Sequence, residues 1–311
     1  MASASVLMSR LLSMMIIVAV GYAAVKLRVV DSASSKVLSR ISVYILQQCM
    51  IFYAFQIEIT PERLHGFLLT LLFGMLVYVI WIIGLELLKK PLRLDAIDRC
   101  TLIYSNVGAL ILPIVNMILG IEYVFYTSAL QIPFNLFVWT HGLRVISHEK
   151  RFSFKKVFLN PNMIALFAGL AACILQIRLP DVLDTPVALL GNMIGPVSMM
   201  VIGINIAGER LGKMFSSRRA WLISACRLLV MPLTVLLLLY LCGIHVRHPE
   251  LIPAFQVSFI ALAAPPASTI SQLAVLYDRR PYDAAVYNVL STVACILTMP
   301  LMLKLYEIVL T

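Results

Sequence analysis

Acidic side chains are scarce in this chain, which has 15 Asp and Glu against 25 Lys and Arg in 311 residues. No aspartate falls in the middle of an apolar run, which weighs against an intramembrane aspartyl protease and against a proton pump built on a carboxylate pair. There is no Cys-x-x-Cys pair, and the six cysteines are scattered through apolar runs as small hydrophobes, so neither a disulfide framework nor a metal site is indicated. His148-Glu149 has no second histidine four residues on, and both the Gly-x-Ser-x-Gly elbow and the Gly-x-x-x-x-Gly-Lys phosphate loop are missing. These absences argue against an enzyme and call for no cofactor. Low-complexity tracts and long linkers are missing as well.

What is present is apolar. Hydrophobic residues make up 61% of the chain and charged residues 13%, the composition of a protein whose principal partner is the lipid bilayer. Runs of roughly 20 apolar residues match a hydrocarbon core about 30 Å thick. Ten such spans are predicted, at 6–27, 35–57, 66–88, 98–120, 122–146, 161–179, 185–208, 220–243, 251–276 and 284–308. The first is too long for a signal-peptide core and lacks a cleavage site, so it reads as a retained span.

The net charge of +10 does not indicate nucleic-acid binding, because the basic residues sit in short segments between apolar runs. Nineteen Lys and Arg belong to odd-numbered loops and their flanks, against Arg63, Arg178 and Arg247 in even-numbered ones. Positive loops stay cytoplasmic, so both termini are expected outside a cytoplasmic membrane crossed many times. The longest basic loop, residues 148–160, divides the chain into a first half (1–147, spans one to five) and a second half (161–311, spans six to ten). Five is odd, so halves of one fold would have opposite orientations. The expected fold class is therefore an all-α integral membrane protein of ten helices in a 5+5 inverted repeat, with spans four and nine broken.

The breaks carry the candidate site. In Tyr104-Ser105-Asn106-Val107-Gly108-Ala109-Leu110-Ile111-Leu112-Pro113, Gly108 loosens the backbone and Pro113 removes a donor. In Ala263-Ala264-Pro265-Pro266-Ala267-Ser268-Thr269, two prolines remove two donors, after which Ser268, Thr269, Ser271 and Gln272 open a second half-helix. Backbone groups freed at membrane depth are tolerated only where protein or a watery cavity satisfies them. Half-helix N-termini facing such a break favour an anion. Asn106 is expected either to contact that substrate or to cap its half-helix. Gln47 and Gln48, in the middle of the second span, either bond neighbouring helices or line a substrate pocket.

Arg227 in the eighth span starts close to the cytoplasmic end, and snorkelling to the interface is its favoured reading over attraction of an entering anion. Gly191 and Gly195 suit close helix packing within the chain or between subunits. Asn160-Pro161 reads as a helix start, with Asn as cap and Pro at the first helical position.

Taken together, Asn106-x-Gly108 with Pro113 and Gly120, Asn160-Pro161, Gly203 to Gly208, Arg227 to Pro232 and Pro265-Pro266 resemble the signature of the auxin efflux carrier family. The compact loops are similar to its bacterial malate permease-like branch. The resemblance covers essentially the whole chain. It implies that spans four and nine cross at their breaks, that spans one, two, six and seven form a dimerising scaffold, and that the rest moves substrate by an elevator-like motion. Substrate contacts would then come from Asn106 and the backbone near Gly108 and Pro113, with Pro265 and Pro266 shaping the opposing side. One departure is Gln47-Gln48, where the family's second span often carries a proline. The expected function is secondary transport of a small organic anion such as malate by a homodimer. An anion channel and a non-transporting sensor or scaffold are the rival classes.

Overall fold

A computed structural model describes residues 4–58, 60–108, 110–147, 159, 161–208 and 216–310. The basic loop expected at 148–160, with the Asn160 cap, lies outside the described residues apart from Leu159.

The described chain is a succession of helical rods. The first rod is α1 (Ala4–Lys26). The second is α2 (Ser34–Ile41), a π turn at Ser42–Leu46 and α3 (Gln47–Ala54). Next comes α4 (Pro61–Leu88), opened by Thr60, whose hydroxyl accepts from the Arg63 N–H, and by Pro61 in the first turn. The fourth rod is broken into α5 (Ala96–Ile103) and α6 (Ile111–Ile118). The fifth is α7 (Ile121–Phe137), a π turn at Val138–Gly142 and α8 (Leu143–Ser147). Gly120, at φ +107°, makes the tight reversal between the fourth and fifth rods that a side chain would strain.

In the second half, α9 (Pro161–Ile174) and α10 (Asp181–Gly208) precede an eighth rod. That rod is α11 (Arg218–Ala225), a π turn at Cys226–Val230 and α12 (Met231–Leu241). After the short α13 (Ile244–Arg247) comes a second broken rod, α14 (Ile252–Leu262) and α15 (Ser268–Leu276), and then α16 (Pro281–Leu310). Helix α9 is shorter than the span predicted to residue 179. Gln176 turns left-handed at φ 54°, and Gln176 and Ile177 donate back to Cys173 and Ala172 in a terminating motif.

Among the described residues, four helical stretches are long and apolar enough to cross a membrane: Pro61–Leu88, Asp181–Val201, Arg218–Leu241 and Pro281–Leu310. Helix α4 shows why they suit lipid. One face buries Phe67, Phe73, Val77, Tyr78 and Trp81, while the other exposes Leu68, Leu72, Leu76, Ile83 and Leu87. A rod that is apolar all round buries one face in protein and needs hydrocarbon against the other.

Two glycine contacts lock rods together. Gly21 of α1 lies against the backbone of Met200, and Gly203 of α10 against the backbone of Val18 and Tyr22, so these two helices cross backbone to backbone. A Cβ on Gly191 would stand 3.0 Å from the Met50 Cα, so this glycine serves packing within the chain, between α10 and α3.

Several of the described loops are tied together in two groups. Arg219 pairs with Asp98 and donates to the Arg93 carbonyl at 2.9 Å, and Arg280 pairs with Asp95, tying three of the odd-numbered loops together. Arg63 and Glu122 at 3.4 Å, and the rings of His65 and His248 at 5.7 Å, join even-numbered ones. Asp98 is fully buried, capped reciprocally with Asp95 at the start of α5, and also accepts from the Tyr287 hydroxyl at 2.9 Å.

Candidate functional site at the crossing of the broken helices

The two breaks meet. Tyr104 leaves α5 in an extended conformation (φ −94°, ψ 106°), and Ser105 pairs with Pro266 as an isolated antiparallel bridge. The Asn106 N–H donates to the Pro265 carbonyl at 2.8 Å, and the Ala267 N–H donates to the Tyr104 carbonyl at 2.9 Å. Each break thus supplies what the other's lost helical turn leaves open, which is the condition for irregular backbone at membrane depth.

Pro113 does not make the break it was expected to make. It is the third residue of α6, in the first turn, where proline is tolerated. The break is the upstream stretch from Tyr104 to Leu110, and the side chain of Pro113 lies outside the described residues. Leu110, at the N-cap of α6, has no side-chain oxygen with which to cap it.

Gly108 is where the site closes in. A Cβ there would fall onto the Gln47 amide and 3.0 Å from Gln131 Nε2, so two glutamine amides from α3 and α7 converge on its backbone. Gln47 is buried, and Gln131 is fully buried with neither amide atom hydrogen-bonded to a described group. An amide left unpartnered in a protein interior costs about 1–3 kcal/mol, and such groups call for an explanation. Gln131 escaped the sequence reading although it carries the same signal as Gln47, a mid-span amide, here two residues before Pro133. Asn106, two residues before Gly108, is half-buried.

On the opposing side, Ser268 and Thr269 are half-buried in the first turn of α15. Asn288 of α16 donates to the Pro266 carbonyl at 3.0 Å, another contact that the sequence reading missed. Gln272 lies in α15, but its side chain is outside the described residues. Gln48 does not join the group: its Nε2 donates to Asn162 Oδ1 at 2.7 Å, joining α3 to α9. Neighbouring rings fix the crossing from the side of the odd-numbered loops. The Tyr78 hydroxyl lies 3.3 Å from Ser105 Oγ, and the Tyr104 hydroxyl donates to the Phe137 carbonyl at 2.9 Å.

Arg227 corrects its expected snorkelling. It is fully buried and points into the crossing. Nε donates to the Ala264 carbonyl at 3.0 Å, Nη1 to Leu102 at 2.7 Å and Nη2 to Leu262 at 2.8 Å. Its guanidinium carbon lies 5.3 Å from the centre of the Trp81 ring, and Trp81 in turn donates to Thr234 Oγ1 at 2.8 Å. The π turn at Cys226–Val230, just ahead of Pro232, gives Arg227 this aim.

An all-helical chain with membrane-length apolar rods and a polar crossing of two broken helices has the make-up of a membrane transport protein. The model of the family described as membrane transport protein matches residues 6–153 and 148–303, so the chain belongs to that family. No curated protein matches the chain.

Proposed function

We propose that this protein is a secondary transporter that carries a small organic anion, malate or another carboxylate, across the cytoplasmic membrane by alternating access. The observation that carries the reading is the Gln131 amide, without a hydrogen-bond partner among the described residues, beside the backbone of Gly108 just ahead of α6. Amide donors and a helix N-terminus converge on a place where a carboxylate would accept from both. Gln47 borders the same place, and we assign to the same site Asn106, two residues before Gly108, and Ser268, in the first turn of α15.

In this reading the ten rods all cross the bilayer, as two inverted sets of five, with the termini outside and the odd-numbered loops in the cytoplasm. The separate gathering of odd and even loops supports that arrangement. So does the pairing of Gln131 with the first break and Asn288 with the second, each from the rod that follows its own break. The first, second, sixth and seventh rods form the scaffold of a homodimer, consistent with the glycine seams of α1, α3 and α10. The remaining rods travel with the substrate in an elevator-like step, and export is the direction we assign.

The test is uptake of labelled malate, then of a panel of mono- and dicarboxylates, into proteoliposomes, with Asn106→Ala alongside. Saturable flux that drops at least about tenfold in Asn106→Ala, a loss equivalent to roughly 1.4 kcal/mol, supports the carrier and its site. The bridge to Pro265 uses the Asn106 backbone, so folding should survive. No flux for any acid in the panel would sink the organic-anion assignment, and non-saturating flux would favour a channel.

A further inference from the structure

Three carbonyls at the crossing lose their helical partners, and one side chain takes all three. In an unbroken helix the Leu262 carbonyl would accept from residue 266, but Pro266 has no N–H. The Leu102 carbonyl would accept from residue 106, but the Asn106 N–H is given to Pro265. Ala264 lies within the second break itself. Leu102 and Leu262 stand at the C-terminal ends of α5 and α14, and a helix C-terminus carries about half a negative charge. Oxygen atoms converging from two negative helix ends form the ligand set that a small hard cation seeks.

That place is filled by the guanidinium of Arg227, which pairs with no carboxylate among the described residues. A fully buried cation without a counter-ion is costly unless hydrogen bonds and dipoles compensate it. Here three charge-assisted hydrogen bonds, two helix ends and the face of Trp81 provide the compensation. The guanidinium does not lose its proton in a protein, so its charge is permanent.

We infer that Arg227 is a resident countercation, holding the place where a coupling cation would sit. Movement of the crossing then requires no sodium or other inorganic cation bound there. The inference rests on the transporter reading for its consequence, but not for its chemistry. Arg227 is a positioning residue: it keeps both half-helices in register and leaves the opposite, N-terminal ends to the anion.

The experiment measures thermal unfolding of the purified full-length protein in detergent, in sodium, potassium or choline chloride, for wild type and Arg227→Ala. Wild type should unfold at the same temperature in all three salts. Arg227→Ala should fall by about 10 °C, the scale expected when one partner of a buried charged group is removed. Methylguanidinium should restore at least half of that fall, as a ligand filling the vacated place does, while tetramethylammonium, which has no donors, should not.

Sodium-dependent stabilisation of wild type overturns the inference, as does an Arg227→Ala protein indifferent to methylguanidinium. Should Arg227→Ala yield no folded protein, Arg227→Lys decides. Indifference to sodium in that variant supports a resident charge, and a sodium-dependent unfolding temperature overturns it. No substrate enters these measurements, so their failure is distinct from a failure to transport malate.

Discussion

Ser105 and Pro266, from opposite halves of the chain, are joined back to back as an isolated β-bridge in an otherwise helical structure. This joint makes the two broken rods one unit, since movement of α5 carries α14 and α15 with it through the bonds from Asn106 to Pro265 and from Ala267 to Tyr104. Backbone bonds, with Arg227 and Asn288 beside them, hold the joint without using the Gln131 amide, which leaves that amide to a ligand.

Gln131→Leu separates that service from stability. Both amide atoms of Gln131 lack partners among the described residues, so an apolar side chain of similar size should leave stability unchanged or raise it by about 1–3 kcal/mol. Carboxylate flux should fall at least about tenfold. Thermal unfolding and uptake measured on one preparation check both signs, and a fall in stability with flux intact would assign Gln131 to packing instead.

Gly108→Ala should behave differently. The added methyl meets the ends of two flexible glutamine side chains, which can swing aside, so the fold should lose no more than about 1–3 kcal/mol. The displaced amides vacate the place beside the α6 N-terminus, and the half-saturating carboxylate concentration should rise. Pairing Gly108→Ala with Gln47→Ala in a double-mutant cycle should show non-additive effects on that concentration.

Asp98→Asn tests the frame rather than the site. Asp98 is fully buried between Arg219 and Tyr287 while Arg219 is partly exposed, so neutralising it should cost about 3 kcal/mol, at the lower end for a buried pair. Unfolding temperature should drop while the substrate concentration giving half-maximal flux stays unchanged.

Much of the frame could be read from the chain itself. The break at Pro265-Pro266 and the turn at Gly120 follow from local chemistry: missing donors and a glycine at positive φ. Gln48 found a partner in Asn162, one of the two uses open to it. The site was less legible. Pro113 pointed to a break in the right rod but sits in the turn after it, because proline is equally at home at a helix start. Gln131 and Asn288 look like any mid-span amide until folding brings each to a break. Arg227 was misread because depth was counted along its own helix, while its partners come from two other rods that linear distance does not reveal.

The π turn at Cys226–Val230 gives part of the crossing's design an unusual carrier. A π turn amounts to one extra residue in an α-helix, and each residue turns the helix by about 100°. Removing one residue from this turn would leave almost every side chain of the eighth rod chemically intact, yet swing Arg227 out of phase with Thr234 and the Trp81 that Thr234 anchors. What aims the guanidinium is thus written in the length of the segment as much as in its letters, and a shortened relative could keep the arginine while losing its use.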